Sequence, residues 1–407
     1  MKLKNLSLLL LLITSNFLAA NVYSADVLTL KKAIQMVTQN HPLVVSKLSE
    51  VDSADASLEA ANWGRFPTPS LETASGDGNL TAVLRVDQPV WTGGRIEGAI
   101  DAAELTKNAA ISAVDEARLD LQLRVVEAYV DALSNRNKLN LANKGVLKHQ
   151  KLFEMMQRRV KQDINSRADL NLAESRLLQA KSNVSTFTQS YETALGSLEE
   201  LTGLVVEDIS SVPLSKFELA HLDILMDQAA NYSPILKRLS MEILAAQKEV
   251  EISKGAILPQ LVARFEHTNT SEVTDNRFML VLQAQPGAGL SAMSNIRAAE
   301  SLIRVLENSK DASLREIKQL VRADYASYTS STNMLSTARN ASQISIEVFN
   351  SYMRQFVTGR KTWIDVLNAT REMTQAELAY EDIKAQSLIS KLRLLSHAGQ
   401  LTNILSE

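Results

Sequence analysis

The chain has 407 residues, a formal net charge of −3 and no cysteine. Without cysteine there is no disulfide framework and no thiol chemistry. The near balance of charges argues against nucleic acid as a partner, since phosphate binding needs a clustered basic surface. Only 8 prolines and 14 glycines occur along this length, which favours long uninterrupted elements over many short ones.

Residues 1–24 have the pattern of a secretory signal peptide. Lys2 and Lys4 precede an apolar run from Leu6 to Ala20, and Val22-Tyr23-Ser24 follows as a small-residue cleavage site. The apolar run is shorter than the roughly 20 residues that a membrane-spanning helix needs, so we expect cleavage rather than anchoring. An exported protein of this size without disulfides fits a bacterial envelope.

The sequence is duplicated, with one repeat over residues 25–215 and the other over residues 216–407. Several residues of the first repeat recur 196 positions later: Tyr129 as Tyr325, Phe153 as Phe349, Asp169 as Asp365 and Gly203 as Gly399. Nearer to the start of each repeat the offset is 192, as for Pro67 and Pro259. The difference must be absorbed between the Pro67 and Tyr129 regions, where loops tolerate length change. A duplication of this length indicates a pseudo-symmetric architecture.

Each repeat is predicted to contain a helical segment, a β-hairpin and a long helical hairpin. In the first repeat these cover residues 28–62, about 69–90 and about 94–203. In the second repeat the β-hairpin covers about 259–286 and the helical hairpin about 290–400. Strands are predicted where apolar and polar residues alternate. One face then collects an apolar set: Leu80, Ala82, Leu84 and Val86 in the first repeat, and Phe278, Leu280, Leu282 and Ala284 in the second.

Heptad spacing marks the long helices. From Leu170 to Leu201, apolar residues recur at steps of three and four, which is the coiled-coil period and implies left-handed supercoiling. If Ile96–Val160 is one helix, its length is about 97 Å at 1.5 Å per residue. The sequence therefore predicts two rod-like helical hairpins, with turns near residues 164 and 359.

No catalytic, cofactor or metal site is predicted. The five histidines are scattered without metal-ligand spacing: His41, His149, His221, His267 and His397. Gly76-Asp77-Gly78 and Gly287-Ala288-Gly289 lack the rest of a nucleotide-binding fingerprint and are better explained as turns. The chain is therefore not expected to be an enzyme.

The two β-hairpins have a membrane-related interpretation. Strands of roughly ten residues are long enough to cross an outer membrane when tilted. Four strands cannot close a barrel, because closed membrane barrels start at about eight, and open edges cannot face lipid. Several chains would then each contribute four strands, and the helical hairpins would continue the barrel as a tube. Such an assembly is a conduit.

The residues resemble the TolC-like family of outer-membrane efflux and type I secretion ducts over essentially the whole mature length. The resemblance rests on the duplicated layout, on QPVWTGGR from Gln88 to Arg95, and on GRKTWIDVLNATR from Gly359 to Arg371. It implies a mainly α-helical homotrimer with a twelve-stranded barrel in outer-membrane lipid, continued by a coiled-coil tunnel through the periplasm. It also implies a passive channel without cofactors. The implied partners are a periplasmic adaptor and an inner-membrane ABC transporter or proton-driven pump.

The resemblance also assigns roles near the second helical turn. The acidic position of the periplasmic aperture falls on Asp365, and the family's second acid is replaced by Asn368. The basic latch residue falls on Lys361, with Arg360 beside it, and its acidic partner on Asp169. The latch tyrosine is replaced by Phe356, which cannot donate a hydrogen bond. From the residues alone, the favoured explanation of Asp365 is a solvated residue at a hairpin tip or an N-cap of the returning helix, and only the resemblance favours the aperture.

Two further sets of residues are expected to matter. Exposed turns at the helical tips offer docking points for the adaptor, namely Ile164, Asn165 and Gly359. The change from strand to helix falls on Gln88, Pro89, Gly93 and Gly94, with Gln285 and Pro286 in the second repeat. Pro89 is expected to end the pairing of its strand and turn the chain toward the helix.

The cargo and the class of protein leave alternatives open. The duct could export polypeptides by type I secretion, including large adhesins, or small toxic molecules. The lack of a lipid-anchor cysteine and the short hairpins favour secretion. The runner-up is a periplasmic coiled-coil adaptor or scaffold without a barrel, which would have no reason for two matched hairpins.

Overall fold

A computed structural model describes residues 27–76, 79–212, 219–270, 274–284 and 291–404. The first repeat contains α1 Leu30–Asn40, α2 Pro42–Trp63, β1 Thr68–Gly76, β2 Asn79–Trp91, α3 Arg95–Lys161 and α4 Arg167–Thr202. The second contains α5 Leu222–Tyr232, α6 Pro234–Gly255, β3 Gln260–Asn269, β4 Thr274–Gln283, α7 Ala292–Val357, α8 Trp363–His397 and α9 Leu401–Ile404. The predicted fold class, mainly helical with a small β part, is confirmed.

Some predicted features lie outside the described residues. These are the signal peptide, the turn at Asp77-Gly78, the turn at Gly287-Ala288-Gly289, and the second strand-to-helix transition at Gln285 and Pro286.

The duplication is visible in the lengths of the elements. Helices α1 and α5 have 11 residues each, and α2 and α6 have 22 each. Both α2 and α6 carry proline in the first turn, where its missing N–H is no loss, and both N-cap side chains accept a backbone hydrogen bond. The four-residue shift between the repeats therefore lies after these helices.

Helix α1 begins later than predicted. Leu28 is extended and bridges to Ile209, with its N–H donating to Asp208 O at 3.0 Å. The helix begins at Leu30 because the Thr29 hydroxyl caps it by accepting the Lys32 N–H at 3.2 Å. The Tyr129 hydroxyl of α3 lies 2.8 Å from the carbonyl oxygens of Leu28 and Ser210 and joins both segments to the main core.

Helices α3 and α7 are continuous over 67 and 66 residues. At 1.5 Å per residue each is about 100 Å long. α4 packs against α3 and α8 against α7, which forms the two predicted helical hairpins. The main core lies where α1, α3, α4 and α8 meet, and a second core joins the distant tips of both hairpins.

All four strands form one antiparallel sheet in the order β1-β2-β3-β4. The β2–β3 pairing joins the two repeats, with Arg85 opposite Glu266 and Asp87 opposite Arg264. Strands β1 and β4 are the outer strands, so one edge of each has no strand partner among the described residues. The sheet is therefore an open segment with two free edges.

Candidate functional site

The sheet has one apolar and one charged face. The pairing register places these large apolar residues on one face, and their side chains are exposed: Leu71, Leu84, Phe265, Phe278, Leu280 and Leu282. Phe278 is 76% exposed, so the single chain does not cover this face with its own helices. A sheet that faces lipid on one side and a water-filled lumen on the other shows this alternation.

The opposite face carries ion pairs across the central strands. Arg264 donates to both carboxylate oxygens of Asp87, at 2.7 and 2.8 Å, and Arg85 donates to Glu266 at 3.2 Å. These residues face each other in the β2–β3 register. Directly opposed charges of opposite sign stabilise a cross-strand pair, so the two contacts reinforce the pairing that joins the repeats.

At the strand-to-helix transition, the prediction for Pro89 is wrong in one respect. The β2–β3 ladder continues to Trp91 opposite Leu261, and the register shifts between Pro89 and Trp91 instead of ending. Proline cannot donate a ladder hydrogen bond, but a local irregularity in the register accommodates it. Gln88 secures the segment by donating to Arg65 O at 2.9 Å.

Gly93 and Gly94 make the turn into α3, with φ of 65° and 81°. Both angles lie in the left-handed region that favours glycine. Gly93 also packs closely against the end of α6, because a Cβ built on Gly255 would lie 2.6 Å from Gly93 O. The transition in the first repeat is thus held against the second repeat, backbone to backbone.

The first helical tip connects α3 to α4 through residues 162–166. Asp163 adopts φ of 55°, and the Ile164 N–H donates back to Arg159 O at 2.9 Å. Ser166 begins α4 in a capping box, in which its hydroxyl accepts the Asp169 N–H at 3.1 Å and its own N–H donates to Asp169 Oδ2 at 3.2 Å.

The second tip repeats this scheme 196 residues later. Gly359 adopts φ of 76°, and the Arg360 N–H donates back to Gln355 O at 2.9 Å. Thr362 begins α8 in a capping box with Asp365: its hydroxyl accepts the Asp365 N–H at 3.2 Å, and its own N–H donates to Asp365 Oδ2 at 2.9 Å. The two tips therefore share one backbone design.

Asp365, the predicted aperture acid, is a capping residue in the single chain. Its Oδ2 accepts from both the N–H and the hydroxyl of Thr362. The backbone hydrogen bond from Thr362, then its side-chain bond, holds the pKa of the Asp365 carboxyl below its usual range, so the group stays charged at neutral pH. Asn368, one turn further along α8, is exposed.

The predicted pair of Lys361 and Asp169 does not meet within the chain. Lys361 Nζ lies 4.3 Å from the centroid of the Tyr352 ring. Asp169 Oδ2 accepts from Asn165 Nδ2 at 3.1 Å, and this bond is the largest cause of the lowered pKa of Asp169. Arg360 is exposed. Within the described residues, each predicted partner is thus engaged elsewhere.

Phe356 occupies the position that the resemblance assigns to a latch tyrosine, but within the chain it packs between the two tips. It is 3% exposed, its ring centroid is 5.4 Å from that of Trp363, and Arg159 Cζ of the first repeat lies 4.7 Å from it. Arg159 in turn donates to Asn165 Oδ1 at 2.6 Å. A cation over an aromatic face is attractive. The contact between the hairpins is therefore aromatic and cationic.

Three residues of this contact were missed by the sequence analysis: Arg159, Tyr352 and Trp363. Trp363 is buried, and its Nε1 has no hydrogen-bond partner among the described residues. The sequence did contain a signal for Trp363, because this residue follows a polar turn and the capping residue Thr362. A large apolar side chain at such a position indicates a core that covers it. Arg159 carried no comparable signal.

Two of the three predicted docking residues, Ile164 and Gly359, are exposed. Ile164 is 57% exposed, and Gly359 has nothing within 4 Å of the position of an added Cβ. Asn165 is half-buried because it bridges Arg159 and Asp169. The tips are therefore open to a partner at Ile164 and Gly359, while Asn165 holds the turn together.

None of the described helices combines the length and apolarity that crossing a membrane requires. Across the described ranges, no three His, Asp or Glu residues are grouped so that they could hold a metal ion.

An exposed apolar sheet face, a charged opposite face and two rods about 100 Å long define the class of an outer-membrane channel subunit. Residues 33–204 match the family described as outer membrane efflux protein. The chain is 22% identical over 377 residues to the cobalt-zinc-cadmium resistance protein CzcC of Cupriavidus metallidurans, covering 89% of this chain and 88% of that one. It is 23% identical to the alkaline protease secretion protein AprF of Pseudomonas aeruginosa, over 69% of this chain and 62% of that one.

The fold is shared with a solved structure, that of the outer membrane protein VceC of Vibrio cholerae. The TM-score is 0.78 at 14% identity, covering 91% of this chain and 96% of that one. The predicted resemblance to the TolC-like outer-membrane efflux and secretion family is confirmed. The chain is accordingly placed in the outer membrane, extending into the periplasm, and both its matched segment and its fold resemble those of efflux and secretion channels.

Proposed function

We propose that the chain is the exit duct of a tripartite export system, assembled as a homotrimer and docked to a periplasmic adaptor and an inner-membrane ABC transporter or proton-driven pump. The observation that carries the proposal is the four-stranded sheet. Its exposed apolar face suits lipid, its charged face suits a lumen, and its two free edges require partners. The chain itself supplies no energy source and acts as a passive conduit.

Three copies satisfy the strand count. Pairing β1 of one copy with β4 of the next keeps neighbouring strands antiparallel, and twelve strands exceed the number of about eight at which membrane barrels begin to close. The test is to purify the full chain in detergent, measure its assembled mass and record conductance in planar bilayers. Trimers that open large stable channels support the proposal, and monomers without conductance contradict it.

We propose that the tips form the periplasmic gate. Three Asp365 carboxylates around a narrow axis would attract cations, and Asn368 would leave the ring with half the charge of two acids. Phe356, packed on Arg159, would hold the two hairpins of one subunit together, while Lys361, Arg360 and Asp169 would face neighbouring subunits. Asp365→Asn is the test, because Asn still accepts the cap hydrogen bond. Unchanged block of single-channel conductance by multivalent cations would remove Asp365 from the aperture.

The cargo we propose is a polypeptide exported by type I secretion, with large adhesins among the candidates. The similarity to a relative named for protease secretion supports this class. Efflux of metal ions or other small molecules is the second candidate, supported by the similarity to CzcC. Deleting the gene separates the two classes. Loss of a protein from the culture medium or cell surface supports secretion, whereas sensitivity to cobalt, zinc or cadmium with an unchanged set of exported proteins supports efflux.

The alternative is a periplasmic scaffold without a barrel. Such a protein would be released by osmotic shock, whereas a duct stays with the detergent-soluble outer membrane. The exposure of Phe278, Leu280 and Leu282 argues against a scaffold, since a water-soluble protein leaves few contiguous apolar patches of this kind uncovered.

A further inference from the structure

The two helical tips concentrate positive charge. Residues 158–169 and 354–371 contain eight basic and three acidic residues, a net charge of +5 in a chain whose net charge is −3. Asp169 and Asp365, two of the three acids, are held in the capping boxes. The periplasmic end of the molecule is therefore basic although the protein as a whole is acidic.

Most of these basic groups have no acidic partner. Two of the eight rest on aromatic rings, Arg159 on Phe356 and Lys361 on Tyr352. The other six are exposed and make no ion pair with a described residue: Arg158, Lys161, Arg167, Arg354, Arg360 and Arg371. Some basic residues elsewhere in the described chain are paired, as Arg238 is with Glu116 at 2.7 Å, but the tips combine the absence of ion pairs with a local excess of positive charge. Unpaired like charges at one end of a rod repel one another, so a surface of this kind gains from a partner of opposite charge.

Exposed apolar side chains lie among these charges. Ile164 belongs to the first turn, Val357 ends α7 and Ile364 begins α8, and all three are largely exposed. Because Arg159 of the first tip lies over Phe356 of the second, the two tips stand side by side and present one surface. Apolar residues surrounded by charged ones are the usual composition of a protein-binding surface.

We infer that this basic tip surface binds an acidic helical-hairpin tip of a partner protein, in which aliphatic side chains are flanked by Asp or Glu. This inference rests on the proposed function, because it specifies the chemistry of the adaptor. Charge complementarity selects an acidic partner. The aliphatic residues suit the end of a helical hairpin, whose own heptad side chains are of the same kind.

An anionic membrane surface is the competing occupant, and the burial of the aromatic residues disfavours it. Anchors at a membrane interface are typically exposed Trp or Phe side chains. Here Phe356 and Trp363 are both 3% exposed and are used within the tip core. The surface offers a lipid layer only three short or branched aliphatic side chains.

The test uses the full-length chain in lipid nanodiscs and three designed helical-hairpin peptides. The peptides are identical except that the residues flanking a leucine tip are Glu, Gln or Lys. We expect the Glu peptide to bind at least about tenfold more tightly than the Gln peptide, and its affinity to fall as salt rises from about 50 to about 200 mM. Equal affinity of the Glu and Lys peptides, or no binding of any peptide, overturns the inference.

Two matched variants distinguish binding at the tip surface from a general effect of the protein's charge. Arg158→Gln/Arg167→Gln/Arg354→Gln removes three tip charges outside the proposed latch and is expected to weaken binding of the Glu peptide by about tenfold. Arg304→Gln/Arg315→Gln/Lys318→Gln removes three exposed charges of α7 away from the tips and is expected to leave binding unchanged. Equal losses in both variants contradict a tip site. Binding to anionic vesicles that is stronger than peptide binding and is abolished by the tip variant assigns the surface to lipid instead.

Channel conductance of the same preparations keeps the two proposals distinct. If the chain conducts but no peptide binds, the acidic partner is wrong and the duct proposal stands. If the chain never conducts, the duct proposal fails whatever the peptides do.

Discussion

The two helical tips share one backbone design and differ in what their side chains do. Each closes with a residue of positive φ, a backward hydrogen bond and a capping box. At equivalent positions, however, the first tip has Val160 and Arg167 where the second has Phe356 and Trp363. The second tip therefore supplies the aromatic core, and the first packs its Arg159 against it.

This difference shows that the two copies of a duplicated sequence can keep the same turn structure while only one of them supplies the packing core. The capping box depends on local residues, so each copy must retain it for its own helix to begin correctly. The core between the tips is needed only once, so one copy is enough to supply the large aromatic side chains.

The largest difference is expected from truncating the aromatic residue. Phe356→Ala removes a buried ring and should cost about 3–5 kcal/mol at the tip core, because the cavity cannot close fully. Val160→Ala at the equivalent position removes less buried surface from the same cluster and should cost less. Hydrogen exchange of the amides at the start of α4 and α8 measures both. Equal loss of protection in the two variants would mean that the tips share the core evenly.

Removing the N-cap hydroxyl should affect the tips alike. Ser166→Ala and Thr362→Ala each delete the acceptor of one backbone N–H, and each should cost about 1 kcal/mol. Thermal unfolding and exchange at the first turns of α4 and α8 provide the measurement, with Ser166→Thr and Thr362→Ser as controls that keep the acceptor. A larger loss for Ser166→Ala than for Thr362→Ala would contradict the shared design, because only the Thr362 hydroxyl also donates to its aspartate.

The positive-φ residue should distinguish the tips again. Gly359→Asp places a side chain in the left-handed region and is expected to destabilise the second tip by roughly 1 kcal/mol, since only glycine adopts this conformation freely. Asp163→Gly is expected to stabilise the first tip by less than about 1 kcal/mol. The substitution removes the cost of a positive φ at a non-glycine residue, but glycine also raises the chain entropy of the unfolded state and so offsets part of the gain. Denaturant midpoints of the two variants measure both changes, and a stabilised Gly359→Asp variant would refute this account.

The smallest effect is expected on acidification. Hydrogen bonds hold the pKa values of Asp169 and Asp365 below the ordinary value of 3.8. Their contribution to stability is therefore complete above that ordinary pKa and is lost as pH falls through the lower folded-state values. Protection factors at the starts of α4 and α8, which are corrected for the pH dependence of intrinsic amide exchange, should stay constant down to about pH 4 and fall below it. Asp169→Asn and Asp365→Asn should remove the dependence, each at its own tip.

The sequence predicted those parts of the fold that depend on short-range patterns. Alternation placed Leu84 and Phe278 on one face, heptad spacing indicated α4, and the recurrence of Asp169 as Asp365 marked two equivalent turns. These signals survive in one sequence because each depends on neighbours a few residues away. The alternative that Asp365 is itself an N-cap missed by three residues: Thr362 is the N-cap of α8, and Asp365 completes the capping box as its third helical residue.

Contacts between the repeats could not be predicted in the same way. Arg159 and Phe356 are 197 residues apart, and neither lies in a periodic pattern that would bring it to the other. The latch pair of Lys361 and Asp169 came from resemblance, and within this chain each residue has a nearer partner. Pro89 was expected to end its ladder, but a local register shift, which depends on the partner strand, let pairing continue.

The close approach of Gly93 and Gly255 has a mechanical consequence. It fixes the start of α3 against the end of α6, so any tilt of α3 about this contact is magnified along the length of the helix. With an arm about 100 Å long, a tilt of about 3° displaces the far end by about 5 Å. A bulkier side chain at Gly255 would push the start of α3 away from the end of α6. The resulting tilt of α3 would change the width of the entrance, which lies at the opposite end of the molecule.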